Sequence, residues 1–259
     1  MSAKIAHLFQ TISNNGVIGS AYLYLPQTAS TNTYCRNLLN DEPQPPNGLV
    51  VRTGHQYEGR GQRGNVWQVQ AGLNLTFSCV VYPHFLAPAD QFYLNMAVSL
   101  SVIDLLDSYA QGAVMKWPND IYIGRRKICG ILIENSLMGS KLQSSIIGIG
   151  ININQTVFEG LAATSLALEN GSTYDIEELM RQWCSCMQAR YDLLMAGRFF
   201  DLKTAYLQRL WGLNTVVNYT KEGEPMQGIM KGVNTAGQLI LEENGSEIFY
   251  NFKEISFVL

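Results

Sequence analysis

The stretch Gln56–Trp67 carries the densest group of residues that could bind an anion. Its glycines would let backbone N–H groups approach a ligand closely, and Arg60 and Arg63 supply planar cationic side chains. These features suit a phosphate or a carboxylate. The stretch is neither the strand-to-helix turn of a dinucleotide-binding motif nor a Walker loop ending in Gly-Lys-Ser/Thr. A flexible surface loop is the alternative interpretation.

Two lysines, Lys116 and Lys127, stand at the ends of a predicted hairpin that begins with Lys-Trp-Pro-Asn-Asp at 116–120. This arrangement can place two ammonium groups around one reacting centre. An acyl-adenylate reaction needs such groups, because negative charge develops on the α-phosphate and on the acyl oxygen. On spacing alone, two solvated lysines in a turn are the simpler interpretation.

Two further polar segments are compatible with ligand binding. Asn152 lies on an otherwise apolar strand, where its amide could hydrogen-bond a purine or close the end of the strand. The segment Ser30-Thr31-Asn32 stands at the start of a predicted helix, where it could hold the polar head of a small ligand or cap the helix. Both alternatives remain open at this point.

Strands and helices in irregular alternation would position these residues. Apolar periodicity predicts strands at 22–25, 48–53, 73–81 and 145–154, a hairpin at 115–135, and helices at 5–12, 31–39, 90–109, 176–195 and 202–211. This irregular mixture favours an α+β domain with a mixed β-sheet flanked by helices over a doubly wound fold.

After Gly212 the pattern changes to short strands at 215–219, 226–233, 238–242 and 247–252, separated by Gly, Asn and Glu turns. Such a segment is typical of a small SH3-like β-barrel. We therefore predict a larger N-terminal domain at 1–211 and a C-terminal SH3-like domain at 212–259.

The composition of the 259-residue chain restricts its class. A hydrophobic fraction of 47% and a net charge of −3 indicate a globular protein without a basic surface for nucleic acid. The chain shows no signal segment and no apolar run long enough to span a membrane. Its five cysteines are odd in number and form no Cys-x-x-Cys pair, which favours reduced thiols. We therefore expect a cytoplasmic protein that binds neither nucleic acid nor membrane.

Five motifs in the chain resemble those of the biotin protein ligases and follow that family's order from about residue 22 to the end. They are Ser30-Thr31-Asn32, Gly59-Arg-Gly-Gln-Arg-Gly64 with Trp67, Lys116-Trp-Pro-Asn-Asp120, Lys127 with Gly130-Ile131-Leu132, and Gly148-x-Gly150-x-Asn152. The resemblance implies a catalytic domain like those of class II aminoacyl-tRNA synthetases and biotin ligases, followed by the small C-terminal barrel.

The resemblance also implies roles for individual residues. Biotin would be bound by Ser30, Thr31, Asn32, Gln56, Arg60, Gly61, Gln62, Lys127 and Gly130. ATP would be bound by Arg63, Gly64, Trp67, Lys116, Asn119, Asp120 and Asn152. Within these sets, Trp67 would pack against adenine and Asn152 would read its edge. The catalytic groups would be Lys127 at the biotin carboxylate, Lys116 at the α-phosphate, and Arg60 in a loop that closes over the intermediate.

The implied reaction has two steps. Biotin and Mg-ATP form biotinyl-5′-adenylate, and a lysine on the biotin carboxyl carrier domain of a biotin-dependent carboxylase then takes the biotinyl group. The expected cofactors are ATP and Mg²⁺, with biotin as substrate. The sequence identifies no metal ligands, although Asp120 could lie on the magnesium side.

Two departures from the family pattern carry expectations of their own. Only about twenty residues precede the first predicted strand, so we expect no DNA-binding winged-helix domain and no repressor function. Lys253-Glu254 stands where the family's barrel commonly has Gly-Glu.

A homodimer is compatible with the exposed edge strand that a mixed sheet provides.

Three other functions fit the sequence less well than a biotin ligase. A lipoate or octanoate ligase would normally carry an Arg-Arg-x-Ser-Gly-Gly-Gly loop, which the chain lacks. A non-catalytic biotin-binding sensor would not need Lys116 beside Lys127. In a cysteine-dependent acyltransferase the nucleophile would have to be accessible, and Cys79 and Cys129 lie inside predicted strands.

Overall fold

A seven-stranded mixed sheet forms the centre of the larger unit in this computed structural model, which describes residues 9–41, 44–62, 66–67 and 69–258. The strand order is β1-β2-β3-β7-β6-β5-β4. Only β1 and β2 pair in parallel; the other neighbours are antiparallel. The strands are β1 (Tyr22–Thr28), β2 (Leu49–Gln56), β3 (Leu75–Val81), β4 (Ala113–Lys116), β5 (Asp120–Ile123), β6 (Arg126–Met138) and β7 (Lys141–Ile151). The predicted mixed sheet is confirmed.

Helices cover both faces of this sheet. On one face α1 (Thr31–Asn40) packs against β2, β3 and β7, and on the other face α2 (Phe92–Asp107) packs against α4 (Ile176–Met195) and α5 (Phe199–Gln208). Strand β3 is therefore buried along its whole length, and its sequence Leu-Thr-Phe-Ser-Cys-Val-Val accordingly contains no charged residue. Helix α2 is apolar on nearly all sides for the same reason. Within the described residues, no helix is both long and apolar enough to cross a membrane.

The C-terminal unit is a five-stranded antiparallel sheet in the order β11-β10-β9-β8-β12. Its strands are β8 (Val216–Lys221), β9 (Glu224–Val233), β10 (Leu239–Glu243), β11 (Ser246–Tyr250) and β12 (Ile255–Phe257). The predicted small all-β unit is confirmed. The domain boundary at 211/212 stays a prediction.

Apart from shifts at the ends of elements and a 3-10 turn at Pro88–Asp90, the structure differs from the predicted elements in three places. The predicted helix at 5–12 is wrong over the part described here, because Gln10 pairs with Tyr22 beside the edge strand β1 through hydrogen bonds of 2.8 and 2.6 Å. A short helix α3 (Leu166–Asn170), capped by Ser165, was not predicted. Strand β12 was also missed. Three- and five-residue elements are too short to show a hydrophobic period.

Candidate active site

A cavity of about 300 Å³ opens on the face of the sheet that carries α1. Its wall is built from the start of α1, the end of β2, the glycine-rich loop, the β4–β5 turn, β6, β7 and β12. The predicted site residues that line it are Ser30, Thr31, Asn32, Gln56, Arg60, Gly61, Gln62, Trp67, Lys116, Asn119, Asp120, Lys127 and Gly130. Arg63 and Gly64 lie outside the described residues. Segments far apart in sequence are thus brought to one site, while the individual roles stay predictions.

One end of the cavity is lined by hydroxyl and amide groups at the N-terminus of α1. Ser30 caps the helix, and the Thr31 backbone N–H donates to Gln56 Oε1 at 2.9 Å. The hydroxyl of Ser78 on β3 lies 2.7 Å from Thr31 Oγ1 and 2.6 Å from Asn32 Oδ1. The buried side chains of Thr31, Asn32, Gln56 and Ser78 are linked by hydrogen bonds, so they form a fixed set of donors and acceptors.

Two glycines on β7 provide the floor of the cavity. A Cβ atom at Gly148 would overlap the side chain of Asn32, and one at Gly150 would overlap the indole ring of Trp67. The two glycines are two residues apart, so their missing side chains would lie on the same face of the strand. Asn32 and Trp67 can therefore pack directly on the backbone there. The indole Nε1 of Trp67 is buried and has no hydrogen-bond partner among the described residues.

The opposite end of the cavity carries charged side chains. Pairing of β4 with β5 sets Lys116 opposite Asp120, and pairing of β5 with β6 sets Asp120 opposite Gly130. Lys127 Nζ lies 2.7 Å from Asp120 Oδ1 and 5.6 Å from the Trp67 ring centroid. Lys116 and Lys127 thus line the same cavity, and their action on one reacting centre stays a prediction.

A register shift between β5 and β6 turns Lys127 towards the cavity. Tyr122 pairs with Lys127 and Ile121 with Cys129, so Ile128 is an extra residue in β6. Such a bulge changes which face a neighbouring side chain occupies. It brings the Lys127 side chain beside Gly130, where an added Cβ would lie 3.3 Å from Lys127 Nζ.

Lys116 lies in a partly buried and electrostatically mixed environment. Its ammonium is 4.9 Å from the Tyr122 ring centroid. Burial lowers the pKa of Lys116 below its usual value, Asp120 raises it, and Lys127 lowers it further. The net direction is downward, which means that Lys116 loses its proton more easily than a solvated lysine.

Arg60 lies at the rim of the cavity. Its Nη2 donates to Thr33 Oγ1 on α1 at 2.8 Å, at an exposed position. The loop that contains Arg60 is thereby joined to the helix that supplies the hydroxyl end of the cavity.

Among the predicted site residues that the structure describes, Asn152 is the one that does not line this cavity. It is 3% exposed, and its Nδ2 donates to the Thr164 carbonyl at 3.0 Å. In this conformation Asn152 closes the end of β7, which was one of its two expected roles. Contact with adenine stays a prediction.

Several lining residues were missed by sequence reasoning. Trp117 lines the cavity and joins it to the C-terminal unit, since its Nε1 donates to the Gly237 carbonyl at 2.9 Å and its ring meets Phe252 edge-on. The C-terminal unit itself contributes Lys253, Ile255, Ser256 and Phe257. In the sequence, the only indication that this unit reaches the cavity was Lys253, which stands where the family commonly has glycine. Other missed lining residues are Thr76, Phe77, Leu132 and Ile149.

The cysteines are placed unfavourably for catalysis. Cys79 and Cys129 are fully buried, and burial raises the pKa of both thiols. A thiol with a raised pKa is a poor nucleophile. Over the described ranges no group of three or more His, Cys, Asp or Glu side chains could hold a metal ion.

Comparison with known proteins agrees with the motifs. The model of the Biotin/lipoate A/B protein ligase family matches residues 24–152. The Bifunctional ligase/repressor BirA of Bacillus subtilis is 30% identical over 234 residues, which cover 88% of this chain and 71% of that protein. The Biotin--[acetyl-CoA-carboxylase] ligase of Paracoccus denitrificans is 28% identical, over 84% of this chain and 92% of that protein.

Solved structures show the same fold. The biotin protein ligase from Aquifex aeolicus in complex with biotin and ATP superimposes with a TM-score of 0.76 at 24% identity, covering 92% of this chain and 98% of that one. The match includes the C-terminal sheet as well as the larger unit. By sequence, motif order and fold, this chain belongs to the Biotin/lipoate A/B protein ligase family, among its biotin protein ligases.

Proposed function

We propose that this protein is an ATP-dependent biotin protein ligase, which forms biotinyl-5′-adenylate and transfers the biotinyl group to a lysine of a carrier protein. One observation carries the proposal: a single cavity has neutral hydrogen-bonding groups at one end and two lysines at the other. Biotin has the matching polarity, with a neutral cyclic urea at one end and a carboxylate at the other. The names and bound ligands of the relatives support the same substrate.

The hydroxyl and amide end suits the urea ring. A cyclic urea offers one carbonyl acceptor and two N–H donors. The hydroxyl of Ser30 can donate to the carbonyl, while the remaining lone pair on the Asn32 side-chain oxygen can accept from an N–H group. Because these protein groups are buried, a ligand that left them unpaired would bind weakly.

The lysine end suits adenylate formation. A carboxylate oxygen of biotin attacks the α-phosphorus of ATP, a new P–O bond forms, and the bond to pyrophosphate breaks. Lys116 would stabilise the charge on the α-phosphate, and Lys127 the charge on the acyl group. No protein nucleophile takes part, so positioning and charge stabilisation provide the catalysis.

In the second step an amine attacks the acyl carbon of the mixed anhydride. The C–N bond forms, the bond to AMP breaks, and the amine loses a proton. We assign the amine to a lysine on the biotin carboxyl carrier domain of a biotin-dependent carboxylase, in keeping with the acetyl-CoA-carboxylase named for the Paracoccus relative.

Magnesium fits this site as part of the ATP complex. Mg²⁺ keeps several waters and is usually bound by one or two carboxylates together with substrate phosphates. Asp120, a carboxylate that lines the cavity beside Lys127, would hold the ion together with the phosphates. When bound, the ion would neutralise charge on the triphosphate.

We further propose that the protein works in the cytoplasm, without nucleic acid, and as a homodimer through the edge strand β1. The cysteines of the described chain are all unpaired, which suits a reducing compartment. Strand β1 lies at the edge of the sheet, where Gln10 pairs with Tyr22 alone among the described residues, and Tyr24, Pro26 and Gln27 are exposed further along it.

The test of the proposal is pyrophosphate release from ATP without a carrier protein, measured with biotin and separately with lipoate. Release with biotin alone supports the ligase. Release with lipoate alone would transfer the chain to the lipoate ligases. Tight biotin binding without release would leave a non-catalytic sensor as the better description.

The lowered pKa of Lys116 predicts a pH dependence. If the charged ammonium is needed, adenylate formation should decline as pH rises, and it should decline at a lower pH than a solvated lysine would require. Lys116→Arg keeps its charge at high pH, so its decline should shift upwards. The measurement is biotin-dependent pyrophosphate release from neutral to alkaline pH. Lys141→Arg, at an exposed position on β7, is the control. Identical profiles for Lys116→Arg and the native protein would contradict the assigned role.

A further inference from the structure

The side-chain amide of Asn32 is held by the protein from both sides. Its Nδ2 donates to Glu134 Oε2 at 2.8 Å and to the Leu132 carbonyl at 3.3 Å. Its Oδ1 accepts from Ser78 Oγ at 2.6 Å. An amide has two N–H donors and two acceptor lone pairs, so both donors are used and one lone pair remains. Asn32 therefore meets a ligand only as an acceptor.

Glu134 lies outside the cavity and is itself fixed in place. It stands on β6, and its Oε1 forms an ion pair with Arg36 of α1 while its Oε2 accepts from Asn32. Asn32 and Arg36 are four residues apart on α1, so they share one face of the helix. One carboxylate thus joins the helix that carries the hydroxyl end of the cavity to a central strand.

The carboxylate determines which way the Asn32 amide points. A half-turn of the amide would set Oδ1 against the Glu134 carboxylate and the Leu132 carbonyl, and both contacts would be repulsive. The side chain also has no room to withdraw, because it lies on the backbone at Gly148. Orientation is therefore fixed by charge and by packing together.

We propose that Glu134, supported by Arg36, is a positioning residue that makes the cavity select a ligand with an N–H donor facing Asn32. The inference rests on the proposed function, with the urea ring of biotin as the N–H donor. The selecting element is partly repulsive: a ligand with an acceptor atom at this place would face the Asn32 oxygen. Without the carboxylate only the longer contact with the Leu132 carbonyl opposes the half-turn, so the amide can turn over and donate, and the discrimination falls.

The test compares biotin with an isosteric cyclic carbamate, in which a ring oxygen replaces the N–H that faces Asn32. Both carbamate isomers are assayed by pyrophosphate release, which gives kcat and KM for each. In Glu134→Ala we expect the KM for biotin to rise about tenfold and the preference for biotin over one carbamate to fall by at least about tenfold. The KM for ATP should stay unchanged, which shows that the fold is intact.

Two further variants separate positioning from general destabilisation. Glu134→Gln can still accept from Asn32 and should restore most of the preference, although it loses the ion pair with Arg36. Glu178→Ala removes a comparable exposed ion pair on α4 and should leave both KM values unchanged. An unaltered preference in Glu134→Ala, or a fall in kcat alone, would overturn the inference. If the native protein released no pyrophosphate with biotin, the proposed function would fail instead.

Discussion

Replacing Lys127 by alanine is expected to lower biotin-dependent pyrophosphate release by about 10²- to 10³-fold. Its ammonium lies at the charged end of the cavity, 2.7 Å from the Asp120 carboxylate and beside the Trp67 ring. A fixed cation in a partly buried site stabilises developing charge without reorganisation. The alanine variant loses that cation and the ion pair with Asp120, so the site becomes more negative by one charge where the reacting phosphate binds.

The matched control is Arg125→Ala, which removes one positive charge from the exposed turn two residues before Lys127. Its rate should stay at the native value, because its side chain does not line the cavity. Lys127→Arg keeps the charge with a different shape and should recover only part of the rate. Native turnover in Lys127→Ala would exclude this lysine from the reaction.

Replacing Arg60 by glycine is expected to release the intermediate rather than to prevent its formation. Arg60 joins the loop to α1 through Thr33, and the loop residues Gly61 and Gln62 line the cavity. Loss of this link should let the loop open, so that the mixed anhydride escapes or meets water. We expect about tenfold more free biotinyl-5′-adenylate in solution after the enzyme is removed by filtration.

The escape is measured by biotin attached to lysines of a bystander protein such as serum albumin. The native protein should label it weakly and the Arg60→Gly variant strongly, at similar rates of pyrophosphate release. Thr33→Val removes only the hydrogen-bond partner of Arg60 and should show an intermediate effect. Equal retention of adenylate by Arg60→Gly and the native protein would show that the loop does not depend on this residue.

Long elements could be predicted from the sequence because each carries its own periodic signal. Helix α4 has the predicted bounds, since Asp175 caps its start and the buried face repeats at helical spacing. The five-residue α3 and three-residue β12 have no such signal. The segment at 9–12 shows a different limit, because pairing of Gln10 with Tyr22 overrides a helical pattern.

The residues of the candidate site could be predicted where they lie in local sequence motifs. Contacts between residues that are distant in sequence could not be predicted. Lys116 and Lys127 were placed together because a hairpin joins them. The bulge at Ile128, which turns Lys127 into the cavity, leaves no pattern in the sequence. Glu134 was missed because its partner Asn32 lies 102 residues away. Trp117 was read as part of a motif, while its contact with Gly237 depends on how the two units pack.

The glycines at 148 and 150 reverse the usual meaning of an alanine scan. Replacement by alanine normally removes side-chain atoms, so a position that tolerates it is taken to contribute little to function. On this strand alanine is an insertion, because the added methyl group would occupy the space taken by Asn32 or by the Trp67 indole. These two positions therefore contribute to the cavity through the absence of a side chain. A search for functional groups among the lining residues would overlook them.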